Sequence, residues 1–210
     1  MTDKMIDRIV DASLALASEN GWRRITMAEI AASAEISLSQ VYAETQTKTD
    51  ILVALSRRLD LAVAEAMDGP QEEAARERIF DAVMARFDAL SPLKTGAAAV
   101  WRDVRRDPKS AALLLAPYLR SVAWTLEAAD VSVDGVKGVR RVKTLAWILQ
   151  RSFLVWLDDD AGQAKTMADL DRRLRRAENV FEGRRLGSRS AGRSYQGGPH
   201  DDGEAADARA

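Results

Sequence analysis

The chain has no cysteine, and its one histidine, His200, lies in a Gly- and Asp-rich stretch near the C-terminus. Without cysteine there is no disulfide framework, no thiolate nucleophile and no cysteine-ligated metal. A lone histidine outside any apolar pattern leaves nothing from which to build a histidine metal centre or a Ser-His-Asp triad. A Gly-rich phosphate loop is missing as well. These absences argue against an enzyme, and no cofactor or metal is expected. No apolar run approaches the roughly 18 residues needed to cross a bilayer. The start, MTDKMIDRIVD, lacks the apolar segment of a secretory signal, so a cytoplasmic location is the default expectation. An excess of one charge is also lacking: 31 Lys and Arg face 32 Asp and Glu, for a net charge of -1. Any nucleic-acid binding must therefore come from local placement of charge.

What is present is an ordinary globular composition, 47% hydrophobic and 30% charged over 210 residues, enough for one or two domains with a real core. Apolar residues recur at helical spacing almost everywhere, and no period-2 run of β-branched residues stands between turn signals. The prediction is an all-α protein of about nine helices. In the first, Ile6, Ile9, Val10, Ser13, Leu16 and Ala17 form one stripe, which stops at Asn20-Gly21. Three capping boxes follow: Thr26-x-x-Glu29, Ser37-x-x-Gln40 and Thr47-x-x-Asp50. In each, a hydroxyl caps a helix start and an acceptor three residues on reaches back to the cap amide. They predict helices over Met27 to Ala34, Leu38 to Glu44 and Lys48 to about Asp68.

Beyond Gly69-Pro70 the predicted helices lengthen: Gln71 to Leu90, Leu93 to Arg106, Lys109 to Asp130, Gly135 to Leu157 and Ala161 to about Phe181. Pro117 falls inside the third of these and should kink or split it. Residues 184–210 are Gly/Ser/Arg-rich and then acidic, and read as a disordered tail. The domain reading is a helix-turn-helix unit over 1–48, a linking helix over 48–68, and a larger helical domain over 71–183.

Two short capped helices joined by about four residues and braced by longer helices make a helix-turn-helix. The same residues would also suit a plain packing helix. The run RIVDASLALASENGWRRITMAEIAASAEISLSQVYAETQTKTDILVAL, Arg8 to Leu55, resembles the N-terminal domain of the TetR family of bacterial regulators. That resemblance implies a homodimer reading a palindromic operator on double-stranded DNA, with a larger domain that dimerises and often binds a small effector. By position it implies phosphate contacts from Thr26, Tyr42 and Lys48, and a groove-facing surface of Leu38, Ser39 and Gln40. Gln40 is the base-contact candidate, since a side-chain amide pairs bidentately with adenine.

The chain departs from the family at three places. Glu35 stands where a turn glycine is usual, so it must tolerate a positive φ at roughly 1 kcal/mol or use another turn. Glu44 and Thr45 replace a basic or histidine residue and a phenylalanine. Residues 1–50 hold five bases, Lys4, Arg8, Arg23, Arg24 and Lys48. Against them stand eight acids: Asp3, Asp7, Asp11, Glu19, Glu29, Glu35, Glu44 and Asp50. Phosphate contacts dominate DNA affinity, so weak binding follows unless Arg23, Arg24 and Lys48 converge on the backbone.

In the larger domain, Val139, Val142, Ala146, Leu149, Phe153 and Trp156 form a seam spaced like a coiled coil. Met167, Leu170, Leu174, Ala177 and Phe181 form a second. Such seams face either a symmetry mate or their own core; the family resemblance favours a dimer interface through Val142, Leu149, Phe153, Trp156, Met167, Leu170 and Leu174. Asp158 to Asp160 read as acids that cap the next helix, and Arg172, Arg173, Arg175 and Arg176 as a solvated basic face. Phe87, Trp101, Leu114, Tyr118, Trp124 and Trp147 make plain core or line an apolar effector pocket, with Pro117 as the place where helices could splay. Val142 to Leu174 also resembles the end of the TetR-fold lipid-binding accessory proteins of ubiquinone biosynthesis. That likeness implies the alternative function, binding of a lipid or isoprenoid with DNA recognition lost.

Overall fold

The computed structural model of the chain describes residues 2–70 and 72–182, and the tail expected to be disordered lies outside them. Nine α-helices and one 3-10 turn occur among the described residues. They are α1 (Thr2–Asn20), α2 (Met27–Ser33), α3 (Leu38–Glu44), α4 (Lys48–Ala66), α5 (Ala75–Leu90), α6 (Lys94–Val104), α7 (Pro108–Ala128), α8 (Gly135–Leu157) and α9 (Ala164–Phe181), with the 3-10 turn at Ser91–Leu93. No strand is present among these residues.

Local chemistry sets the helix starts. All three capping boxes close: Glu29 Oε2 accepts from Thr26 N at 2.7 Å, Gln40 Oε1 from Ser37 N at 2.9 Å, and Asp50 Oδ2 from Thr47 N at 2.8 Å. The shorter aspartate reaches because Thr47 and Gln46 both present their amides to it. Gly21, at φ 83, ends α1 in the left-handed conformation. The start of α9 moves from the predicted Ala161 to Ala164, after Gln163 takes a left-handed φ of 54. Asp159 supplies the cap there, its Oδ2 accepting from the backbone N and the hydroxyl of Thr166 at 2.7 and 2.8 Å.

Of the two outcomes expected at Pro117, a kink or a split, the split does not occur: α7 continues through it. A proline forfeits one backbone donor, and the buried Ser121, Val122, Thr125 and Leu126 hold the remaining turns in the core.

Two apolar clusters organise the molecule. Ile9, Val10, Leu14, Trp22, Ile30, Val41 and Ile51 join α1 to α4 into the N-terminal bundle, to which α6 contributes Ala99. Val83, Phe87, Leu126, Leu145, Trp156, Leu170 and Phe181 centre the larger body. Helix α6 lies against α1 so closely that Gly96 has only backbone and Cβ atoms of Leu14 beside it. At the α4–α5–α7 meeting point Asp60, with only a sixth of its side chain exposed, accepts from Arg86 at 2.7 Å and from the Ser121 hydroxyl. The pair and its extra donor keep a charged contact tolerable inside an apolar body.

Most of the predicted dimer seam faces inward, with Val139 and Met167 left exposed. Leu149, Trp156, Leu170 and Leu174 are buried in the chain's own core, and Val142 and Phe153 pack against that core. Phe87, Trp156, Phe153 and Trp101 form a continuous aromatic ladder, with ring centres 5.6, 5.7 and 5.9 Å apart. The apolar residues that α8 leaves outside are instead Val136, 89% exposed, Val139 and Trp147, 55% exposed; Met167 of α9 is partly exposed too. A 3,4 spacing marks a stripe but cannot say how much of it faces the chain's own body.

Candidate nucleic-acid interface

Helix α3 is held by few residues and shows the rest to solvent. Val41 is its one buried residue, and Thr45, the C-cap, is buried behind it with its hydroxyl bonded to Val41 O at 3.3 Å. Leu38, 51% exposed, and Tyr42, 63% exposed, stand outward with Ser39 and Gln40. Leu38 and Tyr42 are four residues apart and so share one face of the helix. The Thr45 that replaces an aromatic therefore serves as a small anchor beneath the exposed face.

The turn before α3 adopts the strained option. Glu35 has φ 54, and Arg8 from α1 donates from Nη2 to Ala34 O and, at 3.3 Å, to Glu35 O. Arg8 thus satisfies carbonyls that end α2 and braces a turn lacking glycine. No motif in the sequence points to this contact, because its partners are 26 and 27 residues apart.

The predicted DNA contacts differ in freedom. Tyr42 is open. The Thr26 hydroxyl donates to Glu29 Oε2 at 2.8 Å, the Ser39 hydroxyl lies 2.8 Å from that of Ser37, and Gln40 Oε1 serves the cap. Only the amide nitrogen of Gln40 is left to donate, so the bidentate adenine geometry requires the capping bond to open. Lys48 is the clearest departure from expectation. Its Nζ donates to Trp22 O at 2.7 Å, Ile25 O at 3.1 Å and Arg23 O at 3.3 Å, and sits 5.4 Å from the Trp22 ring centre. An ammonium has three donors, and here all three fasten the loop between α1 and α2 to the start of α4. Burial lowers the Lys48 pKa below the ordinary lysine value; Asp103 opposes the shift and Arg23 adds to it.

The local acid surplus is partly neutralised from outside the first 50 residues. Arg58 of α4 pairs with Asp11 at 2.6 Å and lies 3.8 Å from Asp7. With Arg8 and Lys48 used as internal braces, Arg23 and Arg24 remain as exposed bases of the loop before α2.

The predicted effector pocket is not assembled. Phe87 and Trp101 belong to the aromatic ladder, Tyr118 donates its hydroxyl to Ala146 O at 2.7 Å, and Trp124 is exposed on α7. Burial pushes the Tyr118 pKa up to about 12, against the opposing charge of Arg86. Trp147 lies on the surface between the guanidiniums of Arg151 and Arg173, at 5.8 and 5.3 Å. A cavity of about 190 Å³ at the far end of the body is lined by other residues, among them Arg78, Asp130, Arg141 and Phe181. The basic face of α9 is largely paired: Arg172 and Arg173 bond Asp169, and Arg175 bonds Asp171.

A short capped helix presented outward from a bundle of α1 to α3, and followed directly by α4, defines a helix-turn-helix. Residues 9–55 match the family described as bacterial regulatory proteins, tetR family. No curated protein matches the chain significantly. Among solved structures, a TetR transcriptional regulator from Nitrosomonas europaea is 24% identical with a TM-score of 0.68, covering 83% of this chain and 98% of that one. A TetR-family regulator from Rhodococcus sp. is 13% identical with a TM-score of 0.58, covering 85% and 100%. One from Streptomyces coelicolor is 18% identical with a TM-score of 0.53, covering 83% and 81%. The family match covers residues 9–55, and the chain as a whole has the fold of these TetR transcriptional regulators.

Proposed function

We propose that the protein is a TetR-like transcriptional regulator that binds a palindromic operator as a homodimer, with α3 in the major groove. The observation that carries this is the exposed face of α3, on which Leu38, Ser39, Gln40 and Tyr42 stand clear of the core while Val41 alone anchors the helix. The Tyr42 hydroxyl and the cap of α2 at Thr26 reach the phosphates, and Gln40 reads a base. Lys48 acts through the loop it holds.

For the second copy, the exposed apolar stripe Val136, Val139 and Trp147 on α8, with Met167 on α9, is the surface that favours self-association. It keeps Val139 and Met167 of the predicted seams and adds Val136 and Trp147 in place of the residues that turn inward.

The test is retention of DNA from upstream of the protein's own gene, measured at several salt concentrations. Sequence-specific retention that Gln40→Ala or Tyr42→Ala weakens by about 1–3 kcal/mol supports the reading. Equal retention of every sequence, or none at low salt, sinks it.

A further inference from the structure

Four arginines from two separate parts of the chain meet at one open groove. Arg23 and Arg24 come from the loop between α1 and α2, and Arg102 and Arg106 from the last turn of α6 and the turn after it. All four are exposed, and among the described residues none has a carboxylate within 4.0 Å of its guanidinium. The one acid lining the groove, Asp103, is already engaged: its Oδ2 accepts from the backbone N of Arg23 at 2.9 Å. That bond holds the loop to α6 and thereby keeps the arginines together. Asp107 lies near enough to Arg23 to feel its charge, but four guanidiniums outnumber these two carboxylates, and a fold that holds such an excess together presents an anion site.

Continuity with the helix-turn-helix identifies the anion. Arg24 is two residues before Thr26, the N-cap of α2. Lys48 ties the same loop, through Trp22 O, Arg23 O and Ile25 O, to the N-terminus of α4. The groove is thus the flank of the DNA-facing side. Guanidiniums suit phosphate because their planar donor forks match its oxygens. Lys48 gives all three of its donors to internal carbonyls and Arg8 gives its Nη2 to two more, so few other bases of the N-terminal domain are left to join Thr26 and Tyr42 on the backbone.

We propose that Arg23, Arg24, Arg102 and Arg106 form a phosphate-binding groove beside the helix-turn-helix, half of it supplied by α6 of the larger body, which grips the DNA backbone outside the bases that α3 reads. This rests on the DNA-binding reading above.

The experiment compares wild type, the double variant Arg102→Ser with Arg106→Ser, and Gln40→Ala, on duplexes that wild type selects from a random library. Each lost phosphate contact lowers the slope of log K against log salt by about 0.9. In the homodimer the double variant removes four arginines and should therefore lose about 3.6 from the slope, so that raising salt from 50 to 200 mM weakens wild type roughly 150-fold more than the variant. Its sequence preference should be unchanged. Gln40→Ala should do the reverse, relaxing preference at a constant slope. Removing two exposed arginines of α9, Arg175→Ser with Arg176→Ser, should leave the slope alone. A wild-type slope in the Arg102/Arg106 variant, with specific binding intact, overturns the groove while sparing the regulator. A slope lowered equally by the α9 variant would mean that only net charge is being read, and overturns it too. If wild type selects no sequence at all, the underlying reading falls and the groove with it.

Discussion

Gly96→Ala offers a direct check on how the two halves of the molecule are joined. In the middle of an exposed helix this change stabilises by about 1 kcal/mol, because alanine loses less backbone freedom and propagates a helix better. At position 96 the new Cβ would lie 2.4 Å from Leu14 O, 2.7 Å from Leu14 Cβ and 2.8 Å from Leu14 C. Two of these atoms are backbone of α1, so no side-chain rotation relieves the contact. Reaching ordinary contact requires α6 and α1 to separate by about 1 Å, and interiors packed at crystal density resist such shifts. Overpacking of this kind costs about 1–3 kcal/mol. The immovable partner favours the upper part of that range, leaving a net loss of about 2 kcal/mol after the helix-propensity gain. For a chain of this size 1 kcal/mol moves Tm by about 2–4 °C, so Gly96→Ala should lower it by about 4–8 °C. Circular dichroism or calorimetric melting measures this directly. The sign decides the matter: an unchanged or raised Tm would show that α6 does not press on α1 as described.

Two further predictions follow from the turn and from the α8–α9 contact. Glu35→Gly removes the cost of a left-handed Cβ at φ 54 and should stabilise the protein by up to about 1 kcal/mol, read as a higher denaturant midpoint; a lower midpoint would mean that Glu35 makes a favourable contact of its own. Burial alone would raise the pKa of Asp169, but hydrogen bonds from Arg173, Ser152 and Arg172 and the Arg173 charge outweigh it and hold the carboxyl below its usual value. A pKa lower in the folded than in the unfolded chain contributes stability that is complete above about pH 4 and disappears as pH falls through the folded value. The stability gap between wild type and Asp169→Asn should accordingly narrow between pH 6 and about pH 3 in denaturant titrations, and a gap independent of pH would refute the assignment.

Much of the fold was legible because it is written in short-range chemistry. Each capping box spans four residues, and helices α2, α3 and α4 begin where Thr26, Ser37 and Thr47 place them. Helix α8 runs over the predicted Gly135–Leu157, between an Asp-Gly start and a run of acids. Boundaries set by weaker signals moved, as at Ala75, where the predicted helix began four residues too early. The candidate site was legible by position but not by role. Tyr42 and Gln40 stand on the exposed side of α3 as expected, whereas Lys48 and Arg8 act as braces for loops that only the folded chain brings near them. Arg102 and Arg106 drew no attention in sequence, because they lie about 80 residues from the Arg23 loop and nothing in their local pattern refers to it.

The sequence by itself determined an all-helical chain, its helix starts and the helix-turn-helix, since capping, propensity and 3.6-residue periodicity act over one or two turns. Tertiary structure decided how much of the α8 stripe turns inward, how the bases of the N-terminal domain are used, and which residues share the groove beside it. Those outcomes depend on contacts between residues far apart in the chain, where burial and the few available carbonyl and carboxylate acceptors select among faces that look alike in sequence.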